Sequence, residues 1–321
     1  MRSDARVGSL PLCSQAGSGR AGTHVTRRLE GRPVAETRFV ELRARVEEVQ
    51  RSGLAPPSLV SVHRSNSSPF SVYLRGQARG AAAGGVDFRA EPLPEDLTSD
   101  ALSQFMARLA GRADIDAVLL EHPLPEALDF RRAIDQLPPE KDVDGVGSIN
   151  LGRLMAGRPI HVPAVVLAVQ SLLAHYEIPT AGQRIAVLGR SGTVGAPMAI
   201  RLASRDPRGN ATVTVLHSKS SGLQEALAGS HVIVSCAGVP GLLGRSVVPK
   251  DSVVVDVGLS TVPDPSRPTG VRVQGDARAD ELEGWVESFT PVPGGVGPVT
   301  VAELIGNAVH AWELTHSGGG R

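Results

Sequence analysis

The chain has 321 residues, enough for two domains and a core that is stable without staples. Its 33 basic and 33 acidic residues balance, which removes any electrostatic case for a nucleic-acid partner, and no apolar run is long enough to cross a bilayer. Two cysteines in unlike contexts, Cys13 and Cys236, make no disulfide framework and suit a reducing cytoplasm.

Met1 to about Thr26 is rich in Ser, Gly and Arg, without hydrophobic periodicity or the apolar stretch of a signal peptide. Residues 1–28 are expected to be a disordered extension outside the fold. From Ala35 to Arg51 the spacing of Phe39, Leu42, Val46 and Val49 gives one apolar helical face, which Pro56 and Pro57 end. Leu59–Val62 starts a strand. A helix is expected over Ser71–Ala83, then a polar loop, a helix from Thr98 to Arg112, and a buried strand at Ala117–Leu120. This β-α-β-α order implies a parallel sheet. With aromatics at 3%, the core must rest on Val, Leu, Ile and Ala.

A long helix, Pro163–Tyr176, leads into RIAVLGRSGTVG, Arg184 to Gly195, and a second unit, ATVTVLHS, ends at Ser218. Ile185–Leu188 is short, apolar and β-branched, as a strand buried on both faces should be. Gly189, Gly192 and Gly195 let the backbone turn sharply and approach a ligand with no Cβ in the way. The helix that follows aims its unpaired N–H groups and positive dipole end at whatever sits there. Ser191 occupies the second glycine place of G-x-G-x-x-G, so the bare pattern suits an ordinary tight turn as well as a nucleotide phosphate site. Further strands are expected at His231–Ser235 and Ser252–Val257. The last helix, about Val299 to Leu314, is expected to pack back on the first domain.

Four stretches together resemble the methylenetetrahydrofolate dehydrogenase/cyclohydrolase family. They are PEKDVDGVGSINLGRL from Pro139, GRSGTVGAPMA from Gly189, DVGL from Asp256 and TPVPGGVGPVTVAELIGN from Thr290. The resemblance covers nearly everything after about residue 30. It implies an α/β fold of two domains around a cleft, with a folate between them, NADP on a Rossmann-like second domain, and a homodimer. Residues 29–160 with the C-terminal helix 298–316 would form the folate and catalytic domain, and 161–297 the NADP domain.

By that resemblance Gly189, Arg190, Ser191 and Gly195 hold the dinucleotide, and Cys236, Ala237, Gly238 and Leu259 line its nicotinamide end. The strand after the turn ends in His217–Ser218 rather than an acidic residue, which would repel a 2′-phosphate. Arg190 and Ser218 supply a cation and a hydroxyl instead, favouring NADP over NAD. Cys236 reads as a packed residue, because nothing basic neighbours it in sequence.

The folate half departs from the family pattern. There, a tyrosine followed four residues on by a lysine supplies a stacking ring and the catalytic base. Here, in SVYLRGQARGAA, Tyr73 is kept, the lysine place holds Gln77, and Arg79 matches the basic residue that fixes the register. Phe70 stands where a serine is usual. LEHPLP puts Glu121 in a glutamine place with His122 beside it, and PAVVLA, Pro163–Ala168, replaces a Pro-Cys-Thr-Pro-x-Gly junction. Asp144 is present and would hydrogen-bond the pterin, or else stabilise its own loop. Pro293, Gly294 and Gly295 would touch the substrate. Hydrolysis of a methenyl bridge needs a group that hands protons on, and Gln77 has none to titrate. Hydride transfer mainly needs positioning at about 3–3.5 Å.

The expectation is therefore an NADP-dependent methylenetetrahydrofolate dehydrogenase with cyclohydrolase activity lost or weak. Glu121 either faces the developing cation or pairs with an arginine or His122. Three alternatives stay open: a bifunctional enzyme with Glu121 or His122 as substitute base, a catalytically silent folate-binding paralogue, and an enzyme acting on a related iminium-like substrate. No histidine shows ligand spacing, and no metal is expected.

Overall fold

The structure, a computed structural model, describes residues 25–51, 53–64, 68–267 and 270–316. The expected extension up to residue 24, with Cys13, lies outside the described residues. The last residues of that segment are part of the fold: Arg27–Arg28 form strand β1, and the Thr26 hydroxyl donates to the Val286 carbonyl at 2.8 Å. Two exposed arginines carry no strand signal in sequence. Parallel pairing with Ser288 and Phe289, at the far end of the chain, is what makes them one.

The first domain follows as α1 (Gly31–Gln50), β2 (Ser58–His63), α2 (Ser68–Gly84), β3 (Asp87–Pro92), α3 (Ser99–Ala110) and β4 (Ala117–Leu120). Leu42 and Val46 are the buried part of the predicted face on α1. Thr98 caps α3, its hydroxyl accepting the Ala101 N–H at 3.2 Å. The sheet order is β3–β2–β4, all parallel. Strand β3 replaces the expected polar loop. Its DFRAEP sequence has no apolar run and ends in Pro, a composition suited to a sheet edge and silent in sequence.

Two short helices, α4 (Phe130–Ile134) and α5 (Ser148–Met155), lead to α6 (Ala164–His175). The second domain then runs β5 (Arg184–Leu188), α7 (Gly195–Ala203), β6 (Thr212–Leu216), α8 (Leu223–Leu227), β7 (Val232–Ser235), β8 (Val253–Asp256), the antiparallel pair β9 (Ser260–Pro263) and β10 (Val271–Gln274), α9 (Ala279–Leu282), β11 (Ser288–Phe289) and α10 (Val296–His316). Its parallel sheet has the order β1–β11–β8–β7–β5–β6. Strands β5, β7 and β8 are apolar runs sandwiched between layers, as parallel strands require.

Helix α10 belongs to both halves. Val296 and Val299 pack with Val166 and Leu172 of α6 in the second domain's core. Ile305 and Val309, fully buried, pack with Leu42, Val46 and Leu59 in the first. Each such side chain contributes roughly 1.5–3 kcal/mol by leaving water. The helix also pins the cleft floor: the Asn307 amide donates to the carbonyls of Val143 and Val162 at 2.8 and 2.9 Å.

Candidate active site

The chain runs from β5 outward to β6 and then returns across the sheet to β7, so the strand order reverses between β5 and β7. A crevice opens beyond the carboxyl ends of strands at such a point, and ligands of open α/β sheets bind there. Here those ends are Leu188–Gly189 and Ser235–Cys236, and they nearly touch. Gly189 has φ +120°, and a Cβ on it would stand 2.5 Å from the Cys236 carbonyl oxygen and 2.8 Å from its sulfur. Gly195 is equally constrained, since its Cβ would overlap the Gly189 carbonyl. The Ser191 hydroxyl accepts the N–H groups of Val194 and Gly195 at 3.2 and 3.3 Å, so the serine in the second glycine's place caps α7.

The loop after β7 is held by a residue that sequence reasoning missed. Asp276, fully buried, accepts hydrogen bonds from the Ser235 hydroxyl at 2.7 Å and from the N–H groups of Ala237, Gly238 and Val239 at 2.9, 3.2 and 2.8 Å. Asp256 sits beside it and accepts from the backbone of Gly258, Asp276 and Ala277. Burial pushes the Asp256 carboxyl up to about 6. Glycine is required at 258 and 275 because a Cβ at either would overlap the neighbouring aspartate's carboxylate. Asp256 opens the DVGL stretch, whereas the sequence trace of Asp276 is a Gly-Asp dipeptide directly after a short strand.

Across the cleft, the first domain gathers Tyr73, Gln77, Glu121 and Asp144. Gln77, with no exposed surface, donates its side-chain N–H to Glu121 Oε1 at 2.6 Å, and the Ser61 hydroxyl donates to the same oxygen at 3.0 Å. Glu121 therefore pairs with an amide and a hydroxyl, not with an arginine or His122. Burial raises its pKa, partly offset by those two donors. The Gln77 side-chain oxygen is buried without a hydrogen-bond partner among the described residues. Tyr73 is 39% exposed, while its hydroxyl end lies against Gln77, Glu121 and Asp144; desolvation and those two acids raise its pKa. His122 faces outward, edge-on to Phe130 at 5.0 Å, and burial together with Arg131 lowers its pKa.

Asp144 is held at the junction by the Ala164 N–H at the start of α6. Burial first, then Asp142 and Glu121, raise its carboxyl to about 7. The loop-stabilising role falls to its neighbour. Asp142 accepts from the N–H groups of Gly145 and Gly147 and from the Asn150 amide at 3.1, 2.8 and 2.9 Å. That arrangement frees Asp144 for a ligand. It also explains the spacing of the two aspartates: one builds the turn and the next is presented by it.

The run from Thr290 to Pro298 closes the end of the site. The Thr290 hydroxyl accepts the Asp256 N–H at 2.8 Å, and the Gly294 carbonyl accepts the Gly31 N–H at 2.8 Å, tying the loop to the start of α1. Gly294, at φ +115°, follows Pro293, whose peptide bond with Val292 is cis, and a Cβ on Gly295 would stand 2.6 Å from that of Thr290. Of the other predicted contacts, Arg190, Ser218 and Leu259 are exposed at the cleft side of the second domain. The His217 N–H is taken by the Ser220 hydroxyl at 3.0 Å. Cys236 is packed against Gly189, and burial pushes its thiol up to about 12, so it is not a nucleophile at neutral pH. The side chain of Phe70 is outside the described residues. Among the described residues, no cluster of His, Cys, Asp or Glu could hold a metal ion.

Residues 29–144 match the model of the tetrahydrofolate dehydrogenase/cyclohydrolase catalytic domain, and residues 163–316 that of the same family's NAD(P)-binding domain. Among curated relatives, the bifunctional protein FolD of Nitratidesulfovibrio vulgaris is 37% identical over 276 residues, 85% of this chain and 93% of that protein. Among solved structures, the methylenetetrahydrofolate dehydrogenase-cyclohydrolase of Trypanosoma brucei, complexed with NADP and an inhibitor, superposes with a TM-score of 0.84 at 32% identity, covering 91% of this chain and 98% of that one. A 5,10-methylenetetrahydrofolate dehydrogenase from Bombyx mori gives 0.83 at 31% identity, covering 91% of this chain and 99% of that one.

Proposed function

The chain belongs to the tetrahydrofolate dehydrogenase/cyclohydrolase family, and on that premise we propose that it oxidises 5,10-methylenetetrahydrofolate to the methenyl form with NADP, the hydrolytic half of the family's chemistry being lost or weak. One observation carries the reading. Where the resemblance puts a lysine, the Gln77 amide is bonded to a buried carboxylate at 2.6 Å. The residue in the lysine's place cannot act as that lysine does. An amide has no proton to exchange near neutral pH. Assembly as a homodimer is part of the same proposal.

The donor set fits the cofactor. The glycine turn lies at the switch point, Arg190 and Ser218 are exposed beside it, and no carboxylate ends β6 to repel a 2′-phosphate. Bound NADP supplies the acceptor for two electrons and one hydrogen. Asp276 holds the 237–239 backbone, which with the loop from Thr290 would line the nicotinamide end. On the opposite wall Tyr73 gives a ring to stack on and Asp144 an acceptor for the pterin amino edge. As hydride leaves, the substrate becomes a cation. Glu121 then gains a positive neighbour that favours its ionised form, and exchanging lysine for Gln77 removes a like charge from the pocket.

The direct test is to mix the purified protein with methylenetetrahydrofolate and NADP and follow the methenyl absorbance. Accumulation with no decay beyond the uncatalysed rate is expected, and no reaction would sink the dehydrogenase reading. The same site makes a pH prediction. Asp144 titrates at about 7, so below that pH it is protonated and no longer an anionic acceptor for the pterin. KM for the folate should therefore rise as pH falls through about 7, and Asp144→Asn should flatten that step in an initial-rate pH profile. Stability runs the other way. A carboxyl raised on folding stabilises the folded state at low pH, and that contribution is lost as pH climbs through about 7.

A further inference from the structure

We propose that Arg131, supplied by the first domain, is a ligand for the pyrophosphate of the dinucleotide held by the second, and so ties cofactor binding to the width of the cleft. This rests on the dinucleotide reading of the glycine turn given above.

Arg131 lies on α4, and its Nη1 donates to the Val146 carbonyl at 2.6 Å, which fixes one arm of the guanidinium fork. The other arm crosses to the second domain. A Cβ placed on Gly192 would overlap Arg131 Nη2 and stand 3.4 Å from Cζ. Gly192 is the middle glycine of the turn between β5 and α7, and its backbone is not in the left-handed region. Conformation does not demand a glycine there; the missing Cβ leaves the space that the end of the Arg131 side chain fills. The fork is thus parked on the backbone that faces a bound pyrophosphate.

The turn needs such a cation. The N–H groups of Val194 and Gly195 are already taken by the Ser191 hydroxyl, and that of Ala196 by the Ser191 carbonyl at 3.0 Å. The start of α7 therefore offers fewer free donors than an uncapped helix would. Arg131 makes no salt bridge among the described residues, whereas its neighbour Arg132 is paired with Asp100 at 2.6 Å. The groups beside it are the Phe130 ring at 5.9 Å and the His122 imidazole, whose pKa its charge lowers. A guanidinium free of carboxylates and held at one end is preorganised for a bidentate phosphate contact.

The test is calorimetric titration of NADP, and separately of adenosine 2′-monophosphate, into the wild-type protein, Arg131→Gln and Arg131→Lys, with melting temperatures alongside. Arg131→Gln should weaken NADP about ten-fold or more. Arg131→Lys should fall between, since an ammonium keeps the charge but cannot span Val146 and the turn at once. Adenosine 2′-monophosphate has no pyrophosphate, so its affinity should be unchanged. Equal NADP affinity in wild type and Arg131→Gln overturns the proposal. So does an equal weakening of both ligands, which marks a change in the fold. Should Arg131→Gln fail to fold, Arg131→Lys reads the result on the same two ligands. If the wild-type protein binds no NADP at all, the dinucleotide reading itself fails, a different outcome from the one that tests Arg131.

Discussion

Methenyltetrahydrofolate offered to the wild-type protein should decay at its uncatalysed rate, and the double variant Gln77→Lys, Glu121→Gln should hydrolyse it faster by about 10²–10⁴-fold, the usual contribution of a general acid–base group. Both changes are needed because of the 2.6 Å bond between the two side chains. A lysine at 77 beside an ionised Glu121 would form an ion pair, and the carboxylate would hold the ammonium protonated, useless as a base near neutral pH. Replacing Glu121 by glutamine removes that hold and leaves burial free to lower the lysine's pKa. The single Gln77→Lys variant is accordingly expected to recover much less hydrolysis than the pair. Stopped absorbance traces of methenyl decay, corrected for the spontaneous rate, give the answer. Rapid hydrolysis by the wild-type protein, abolished by Glu121→Gln alone, would instead make Glu121 the base. Its raised pKa brings it closer to that task than an ordinary carboxylate, so this variant decides between the two.

Asp276→Ala should destabilise the protein by roughly 3–5 kcal/mol and weaken NADP binding more than ten-fold. Removal of the carboxylate leaves the Ser235 hydroxyl and three N–H groups, those of Ala237, Gly238 and Val239, without their acceptor. A buried donor left unpaired costs about 1–3 kcal/mol, and water can reach part of this half-exposed loop, so the sum falls below the maximum. The same loop lies where the cofactor's nicotinamide end is expected, hence the joint effect on affinity. Asp276→Asn keeps one acceptor oxygen and should be intermediate in both. Urea unfolding midpoints and cofactor titration measure the two quantities. A variant as stable as wild type that still lost cofactor would mean that Asp276 contacts the ligand rather than shaping the loop.

Much of the frame was legible because buried parallel strands write themselves plainly. Ala117–Leu120, Ile185–Leu188 and Val253–Val255 are apolar runs that only an interior can take, and each is a strand here. What stayed hidden depends on partners far away in sequence. Strand β3 is an edge with charged side chains, and β1 exists only through residues 288 and 289. The expected polar loop and the expected end of the disordered segment failed for that one reason. In the candidate site, the glycine turn was readable from spacing, and the resemblance singled out Tyr73, Gln77, Glu121 and Asp144, which the fold brings together. Asp276 and Arg131 were not, since an aspartate after a strand and an arginine on a short helix look like ordinary surface residues until the fold shows what they touch.

By itself the sequence determined the layering, because hydrophobic period and glycine placement are local properties. It also determined the chemistry available at each position, above all that an amide stands where a proton carrier is expected. Only the tertiary structure decided which groups share a charge environment. It set Gln77 on Glu121, left Asp144 free by giving the turn to Asp142, and brought Arg131 across the cleft to Gly192. The physical reason is range: helix and strand preferences act over a few residues, whereas burial and Coulomb interactions act through space between segments that the chain order separates by tens of positions.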